Sequence, residues 1–405
     1  MSTSDRRATS QVRVLQVITR LIVGGAQETA ILIADMLDKS RWTVHLLSGP
    51  QTGVEGSLIE NARERGIPLT IEPALRREVS PARDVQALVR LTRFIRRGRY
   101  AIVHTNSSKA GILGRWAAYL AGVPIIVHTV HGWGHHDRQH PLVRRYYVTL
   151  ERLTQRITDR LIVVSPRNTE KGLADGIGTP EKYVTIRSGV ELDRFRQPVR
   201  PRQAVRAALG IPPEAPIVGT VTRLSPQKAP LDFVEAAVQV VGEYTGVAAR
   251  PDVHFVVVGD GPLRAEVEAR VAALGLEGCV HLTGLRSDVP DLLHSFDVFA
   301  LTSLWEGLPR VLPQAMAAGL PMVVTAVDGN AEAVTDGVNG LLVPPGDPRA
   351  LAAGLLRLLE DPALARRMGE AGQARAEEFS ADKMVQDVAA LYEALLAEHG
   401  LRVAG

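Results

Sequence analysis

The chain alternates short apolar runs with longer amphipathic stretches, and this alternation limits its fold more than any other feature. Short runs rich in β-branched residues predict parallel strands, because such strands are buried on both faces. In the first half of the chain the runs are Val12–Ile18, Thr43–Leu47, Ala101–His104, Ile125–Val130 and Leu161–Val164. Helical periodicity lies between them, near 26–38, 82–97, 109–121 and 142–157. Such strand–helix–strand repetition predicts a doubly wound parallel sheet.

A second series of the same type follows the polar segment Arg187–Gln203, which has two prolines and no apolar period and is interpreted as an interdomain linker. The strands predicted beyond it are Ile217–Thr222, His254–Val258, Val280–Leu282, Val298–Leu301 and Met322–Thr325, with helices near 231–243, 263–274, 310–318, 348–359, 361–378 and 381–398. The sequence therefore predicts two Rossmann-like α/β domains that face a cleft, with the carboxyl ends of both sheets towards it. The predicted domains are 1–190 and 191–380, and the terminal helix in 381–405 is expected to pack back on the first.

Charge divides the chain into a basic and an acidic half. Residues 1–195 contain 29 lysines and arginines against 18 acidic residues, and residues 196–405 contain 18 against 26. A basic domain favours contact with an anionic surface, although scattered solvated arginines would give the same count.

Cys279 is the only cysteine, which excludes an intramolecular disulfide and fits a reducing compartment. We identify no signal peptide and no run of about 20 apolar residues that could span a membrane.

The stretch Ser303–Pro321 predicts a loop with one carboxylate, then an apolar helix, then a Gly-Pro break. Loops that enter a helix from a parallel sheet are where α/β proteins bind phosphate-bearing ligands. Glu306 and Gln314 are eight residues apart across this loop and helix, and could hold hydroxyls on two parts of one polar ligand. An ordinary loop with a solvated glutamate is the alternative.

Two further loops carry candidate groups for a diphosphate. Arg223 and Lys228 follow the first strand of the second domain, where a planar guanidinium and a point charge could clamp phosphates, unless both are merely exposed. Gly24 and Gly25 follow the first strand of the first domain and permit close backbone approach to a ligand, or form a plain tight turn. Their spacing fits neither a dinucleotide fingerprint nor a P-loop.

Other strand ends suggest weaker candidates. His131 follows a strand and is expected at the cleft, or is simply structural. The cluster His131, His135, His136 and His140 lacks the carboxylate partners of a metal-binding helix, so no metal site is predicted. Pro262 is predicted to open a helix, with Asp260 as a cap. The backbone from Val280 to Asp288, including Gly284 and Arg286, could pair with a flat base, and Glu332 is expected to cap or brace a helix.

Together these motifs resemble the family-4 retaining glycosyltransferases of the GT-B fold. The resemblance spans nearly the whole chain and is carried by four segments in addition to Gly24–Gln27. These are Ser188–Phe195, Gly219–Lys228, Gly259–Pro262 and Glu306–Pro321. It implies transfer of a sugar from a nucleotide-sugar donor with retention at the anomeric carbon, without a cofactor or an essential metal.

The resemblance also implies roles for individual residues. Glu306 would hold the hydroxyls of the donor sugar, Arg223 and Lys228 the diphosphate, and His131 would lie near the reacting centre. Backbone from Leu308 through Pro309 and Arg310 to Val311, together with the Gly24-Gly25 loop, would face the phosphates. The departing phosphate oxygen would take the acceptor's proton, so no protein nucleophile is expected.

The sequence departs from the family pattern at two positions. Gln314 stands where the family has a second glutamate that grips the nucleotide ribose, and a neutral amide makes a weaker bond than a charged one, so reduced nucleotide affinity is expected. Asn106 stands where relatives often have histidine, on the acceptor side with Lys109. The acceptor, a saccharide or a lipid-linked one, is therefore left open, as are the base and the donor sugar.

The acceptor side also carries a basic amphipathic helix at Leu88–Arg99 and a second basic stretch at Arg138–Arg160. Such faces bind anionic lipid headgroups, and the hypothesis is a cytoplasmic enzyme that is peripheral on the cytoplasmic face of the membrane. A solvated helix face in a soluble enzyme is the alternative.

Two other functions stay open: a nucleotide-sugar epimerase of similar shape, and a non-catalytic nucleotide-sugar binding protein. Nucleic-acid binding is not expected, because aromatic residues are only 4% of the chain and no recognised module is present.

Overall fold

The computed structural model describes residues 11–51, 56–135, 139–244 and 252–401. Contacts divide the chain into two compact units, Met1–Gly189 with Ala381–Gly405, and Val190–Ser380. Each unit is built around one parallel sheet covered by helices.

The first unit contains a seven-stranded sheet. Its strands are β1 (Val12–Ile18), β2 (Trp42–Ser48), β3 (Leu69–Ile71), β4 (Ile102–Asn106), β5 (Ile125–Val130), β6 (Arg160–Val163) and β7 (Tyr183–Thr185). Its first six helices are α1 (Gly25–Met36), α2 (Ile59–Glu64), α3 (Pro81–Gly98), α4 (Ser108–Ala121), α5 (Pro141–Thr154) and α6 (Pro166–Ala174). The strands are parallel and ordered β3-β2-β1-β4-β5-β6-β7, which is a doubly wound topology.

The second unit contains a six-stranded parallel sheet. Its strands are β8 (Ile217–Val221), β9 (His254–Val258), β10 (Val280–Gly284), β11 (Val298–Leu301), β12 (Met322–Thr325) and β13 (Leu341–Val343), in the order β10-β9-β8-β11-β12-β13. Its helices are α7 (Asp193–Arg196), α8 (Arg202–Ala208), α9 (Pro230–Tyr244), α10 (Arg264–Ala273), α11 (Val289–Ser295), α12 (Val311–Ala317), α13 (Asn330–Ala333), α14 (Pro348–Glu360) and α15 (Pro362–Arg375). The last helix, α16 (Ala381–Glu398), belongs to the first unit.

Alternate residues of β1 fill two separate layers of the first unit, as the two-residue repeat of a strand requires. Leu15 and Val17 pack with residues of α3 and α4 on one face. Val14 and Ile18 pack with α1 and α16 on the other. The sheet is therefore buried on both faces, and this explains why its central strands read as continuous apolar runs.

The predicted fold class is confirmed: both units are doubly wound parallel sheets. All ten predicted strands are present, but β3, β7 and β13 were missed. These three strands have three residues each and lie at sheet edges, so they lack a long apolar run. The short helices α2, α6, α7, α8, α11 and α13 were also missed.

The interpretation of 187–203 as a linker was wrong for most of its length. From Val190 the chain belongs to the second unit, and Val190 forms a bridge with Ser380. Val190, Leu192 and Phe195 are buried, and α7 and the start of α8 lie within the segment. These three apolar residues pack the segment against the second unit. Their spacing is irregular, so hydrophobic periodicity does not reveal them.

Buried polar groups attach α16 to the sheet of the first unit. The hydroxyl of Tyr392 lies 2.6 Å from Nδ1 of His104, and Nε2 of Gln16 lies 3.1 Å from the same hydroxyl. Nε2 of His104 lies 2.6 Å from the hydroxyl of Thr129. Burial is the main cause that lowers the pKa of His104 to about 3, and the neighbouring His131 adds to it. The folded protein therefore holds this imidazole neutral.

This neutral histidine predicts a loss of stability in mild acid. The folded pKa of His104 is below the value of about 6.5 expected when unfolded, so its contribution is complete above pH 6.5 and declines as the pH falls. Linkage gives a loss of about 2 kcal/mol in the free energy of unfolding between pH 7 and pH 5 from this group alone. Urea unfolding at both pH values measures it, and His104→Gln is expected to flatten the dependence. Equal slopes for the two proteins would contradict the prediction.

Candidate functional site

The loop between β11 and α12 holds the carboxylate of Glu306 inside the second unit. The side chain is 6% exposed, and its Oε1 accepts a hydrogen bond from the hydroxyl of Ser303 at 2.5 Å. Nζ of Lys228 forms an ion pair with the same oxygen. Glu306 and Lys228, predicted from separate motifs to act on one ligand, are therefore in direct contact.

The loop between β8 and α9 supplies Lys228 and is bonded along its length to the Glu306 loop. The Lys228 carbonyl accepts from the hydroxyl of Thr302 at 2.8 Å. The Gln227 side chain donates to the carbonyl of Trp305 at 2.9 Å, and its own carbonyl accepts from Leu304 at 2.8 Å. These bonds fix the position of Lys228 relative to Glu306. Arg223 is exposed on the same loop, five residues before Lys228.

Two glycines of the loop between β9 and α10 allow it to pack against the backbone that carries Arg223. A Cβ added at Gly259 would lie 1.9 Å from the carbonyl oxygen of Thr222, and one at Gly261 would lie 2.4 Å from that of Leu224. Gly259 also has a φ of +132°, a region that side chains disfavour. The Gly-Asp-Gly motif is thus explained by close backbone packing beside the candidate site.

We predict that Gly259→Ala destabilises the second unit by at least about 2 kcal/mol, because a strained φ and a backbone clash combine. Gly278→Ala is the matched control, since a Cβ there meets nothing within 4 Å. Thermal unfolding of both variants measures the difference, and similar melting temperatures would contradict the packing argument.

A third loop, between β12 and α13, supports Glu306 from another side. The backbone N–H of Glu306 donates to Oδ2 of Asp328 at 2.9 Å. A Cβ at Gly329 would lie 1.9 Å from the carbonyl of Gly307, so this loop and the Glu306 loop touch backbone to backbone. Only Glu332 of this segment was named from the sequence, and Asp328 was given no role. Both carboxylate oxygens of Glu332, expected to cap or brace, are buried without a hydrogen-bond partner in the described part of the chain.

The residues after Glu306 form the turn into α12. Leu308 and Pro309 are buried, whereas Arg310 and Val311 are half-buried, and Pro309 has no N–H to offer a phosphate. Gln314 lies in α12 and is half-buried, and its carboxamide makes no hydrogen bond within the described ranges. The contacts predicted for Leu308, Arg310, Val311 and Gln314 stay predictions, and Pro309 cannot supply the backbone N–H expected of this segment.

The predicted base-binding segment ends β10. Gly284 has a φ of +69°, and its carbonyl accepts from the N–H of Gly259 at 2.8 Å. Arg286 is bidentate to Asp288 at 2.8 and 2.7 Å, and this hydrogen bonding raises the pKa of Arg286 and lowers that of Asp288. Pro262 does not open a helix as predicted: α10 begins at Arg264, because residues 260–263 are used to pack on the Arg223 loop.

The remaining predicted site residues belong to the first unit. α1 begins at Gly25, one residue earlier than expected, and Gly24 is its N-cap. Asn106 is fully buried, and its Oδ1 lies 2.9 Å from Nε2 of His131. Lys109 forms an ion pair with Asp84 of α3 at 2.6 Å. Asn106 and Lys109 thus have partners inside the protein, and their contact with an acceptor stays a prediction.

Two histidines of the histidine-rich segment, His135 and His140, bond to other parts of the first unit. Nε2 of His135 lies 2.8 Å from Oδ2 of Asp175, and His140 accepts from the N–H of Leu142 at the start of α5. His136 lies outside the described residues. Within those residues no group of three or more histidine, cysteine, aspartate or glutamate side chains could hold a metal ion.

Comparisons with known proteins agree with this architecture. The family model described as "Glycosyl transferase 4-like domain" matches residues 24–189, and "Glycosyl transferases group 1" matches residues 201–375. A UDP-Gal:alpha-D-GlcNAc-diphosphoundecaprenol alpha-1,3-galactosyltransferase of Escherichia coli is 32% identical over 88% of this chain and 90% of its own length. A D-inositol 3-phosphate glycosyltransferase of Streptomyces scabiei is 32% identical over 75% of this chain and 70% of its own length.

Solved structures are similar in fold. The crystal structure of HepE from Anabaena in complex with UDP-glucose matches with a TM-score of 0.79 and 24% identity, over 95% of this chain and all of that one. The lipopolysaccharide glycosyltransferase WaaG matches with a TM-score of 0.74 and 18% identity, over 94% and 99%. The fold is therefore GT-B.

The sequence relatives define the class as well: the chain belongs to the group 1 glycosyltransferases with a 4-like amino-terminal domain. The resemblance stated from the motifs is confirmed at this level, and glycosyl transfer is the class of activity. Among the described residues, no helix is long and apolar enough to cross a bilayer.

Proposed function

We propose that this protein transfers a hexose from a nucleoside diphosphate sugar to a saccharide or lipid-linked acceptor, with retention at the anomeric carbon and without an essential metal. The observation that carries the proposal is the direct contact of Lys228 with Glu306. A cation for the diphosphate and a carboxylate for the adjacent sugar must be neighbours, because the two parts of the donor share one bond.

The chemistry follows from the charges. The acceptor hydroxyl attacks the anomeric carbon on the face from which the diphosphate departs. As the carbon–oxygen bond to phosphate breaks, the leaving oxygen takes the acceptor's proton. Lys228 and Arg223 stabilise the charge that develops on the diphosphate, a large term in such reactions. Glu306 orients the sugar by accepting hydrogen bonds from its hydroxyls, while Asp328 and Ser303 hold Glu306.

A uridine diphosphate sugar is the donor that we propose. The Escherichia coli relative is named for UDP-galactose, and the HepE structure contains UDP-glucose. A thermal-shift screen over UDP-, GDP- and ADP-sugars tests this, since a ligand that binds only the folded protein raises its melting temperature. A shift with UDP-sugars alone is expected, and a shift restricted to another base would overturn the assignment.

Gln314 provides a separate prediction on nucleotide affinity. Gln314→Glu replaces a neutral contact with a charged one, so we expect UDP to bind more tightly by about 0.5–2 kcal/mol, or about 2- to 30-fold. Gln239→Glu on α9 adds the same charge elsewhere in the unit and is expected to bind as wild type. Calorimetric titration measures both, and unchanged or weaker binding by Gln314→Glu would count against a ribose contact.

The same variant addresses the alternative of a non-catalytic binding protein. If neither wild type nor Gln314→Glu forms glycoside with any acceptor while both bind donor, the binding function is favoured.

Incubation with donor alone addresses an epimerase, which would convert the sugar without an acceptor. We expect no epimer, because Lys228 and Ser303 hold the Glu306 carboxylate where it is proposed to bind the hydroxyls of the sugar.

The first unit carries an exposed surface that suits an anionic membrane. On α5, Leu142, Val143, Tyr146 and Leu153 are exposed on a helix that also carries exposed Arg145 and Arg152. Apolar groups flanked by arginines favour binding in the headgroup region. This supports a lipid-linked acceptor and placement on the cytoplasmic face.

Liposome co-sedimentation tests the membrane proposal. We expect binding to vesicles with anionic lipid, weakened by the double change Leu142→Ser and Tyr146→Ser. Val199→Ser, at an 89% exposed position of the second unit, is the control. Binding without preference for anionic lipid, or equal binding by all variants, would contradict the proposal.

A further inference from the structure

A continuous series of buried hydrogen bonds leads from His131 into the core of the first unit. Nε2 of His131 lies 2.9 Å from Oδ1 of Asn106, and Nδ2 of Asn106 donates to Oε1 of Gln16 at 2.8 Å. Nε2 of Gln16 donates to the hydroxyl of Tyr392 at 3.1 Å. The hydroxyl of Tyr392 lies 2.6 Å from Nδ1 of His104.

Every link beyond His131 is buried. Gln16, Asn106, His104 and Tyr392 are each 0% exposed, so bulk solvent does not reach their donors and acceptors. Buried amides pair each donor with an acceptor, because an unpaired one is costly. The orientation of one amide therefore determines the orientation of the next.

The direction of donation fixes the proton on His131. Asn106 uses its N–H₂ group for Gln16, and this leaves its carbonyl oxygen facing His131. A carbonyl oxygen can only accept, so Nε2 of His131 must carry the proton. In the neutral ring, Nδ1 is then the hydrogen-bond acceptor.

We infer that Asn106 and Gln16 are positioning residues that hold the neutral ring of His131 as the Nε2–H tautomer. The inference rests on the proposed function and on the role near the reacting centre that the family resemblance implies for His131. It gives Asn106 a function through His131 rather than by contact with the acceptor. It also makes α16, through Tyr392, part of the support of the site.

The tautomer itself can be measured without any activity. Long-range ¹H–¹⁵N spectra of the full chain with ¹⁵N-labelled histidine, above pH 7.5, distinguish the two neutral forms, and His131→Gln assigns the signal. We expect the Nε2–H pattern for His131. The Nδ1–H pattern would mean that both amides are turned over, and it would overturn the inference whether or not sugar transfer is detected.

Kinetics test the consequence. Asn106→Leu removes both amide bonds, and we expect kcat to fall at least 10-fold while donor KM changes less than threefold. Asn339→Leu is the matched control: Asn339 is 1% exposed and also uses both amide atoms, towards Thr335 and Ala333. It is expected to lose stability but keep kcat.

A milder variant covers the case in which Asn106→Leu does not fold. Tyr392→Phe removes one hydroxyl while keeping the ring, whose centroid lies 5.5 Å from that of Trp42. We expect a mixture of His131 tautomers and a two- to fivefold lower kcat. A folded Tyr392→Phe or Asn106→Leu protein with wild-type kcat and an unchanged tautomer would contradict the inference.

Discussion

Glu306→Gln is expected to lower kcat by about 10²- to 10³-fold while the protein stays folded. The carboxylate accepts from the sugar while positive charge develops at the anomeric carbon, and losing one such contact costs about 3–4 kcal/mol in the transition state. The amide keeps the size of the side chain, so the loop should retain its position through the Asp328 contact. Steady-state rates with saturating donor measure the change.

The control is Glu266→Gln, which removes the same charge from an exposed position on α10. It is expected to behave as wild type. A kcat for Glu306→Gln within threefold of wild type would show that this carboxylate does not act in the rate-limiting chemical step.

Glu151→Ala is expected to destabilise the first unit by about 3–5 kcal/mol, because it leaves a buried guanidinium without its counter-charge. Arg115 on α4 is 0% exposed, and its Nη2 lies 2.7 Å from Oε2 of Glu151 on α5. Its Nε also donates to the carbonyl of Gly111 at 2.8 Å. Chemical denaturation measures the loss.

An exposed pair of the same residue types provides the comparison. Nη2 of Arg160 donates to both carboxylate oxygens of Glu398, at 2.8 and 2.9 Å, and the two side chains are 26% and 49% exposed. Glu398→Ala is expected to cost less than about 1 kcal/mol. The double change Arg115→Leu with Glu151→Leu should recover much of the loss caused by Glu151→Ala. Equal costs for the two single variants would contradict the role assigned to burial.

The central strands could be predicted because burial on both faces requires a continuous apolar run in the sequence. Val12–Ile18 and Ile125–Val130 were predicted with the bounds that the structure has. The three-residue edge strands have no long apolar run, since each pairs with only one neighbouring strand. The segment after Val190 was misread because its buried residues follow no period, and their burial depends on contacts distant in sequence.

The candidate site was predictable in part for a similar reason. Loops at the carboxyl ends of parallel strands converge, so Glu306 and Lys228 could be expected to meet from topology. The support of Glu306 by Asp328 depends on one hydrogen bond across 22 residues, which no local pattern announces. The burial of Asn106 beside Gln16 likewise depends on the pairing of β1 with β4.

We assign Lys228 to the diphosphate of the donor and the neighbouring Glu306 to its sugar. Calorimetric titration with UDP and with the UDP-sugar tests this assignment. Lys228→Met is expected to weaken both ligands by about 10-fold or more, as loss of a charge-assisted contact requires. Glu306→Gln is expected to keep UDP affinity within about threefold and to weaken only the UDP-sugar. Wild-type affinity of both variants for both ligands would contradict the account.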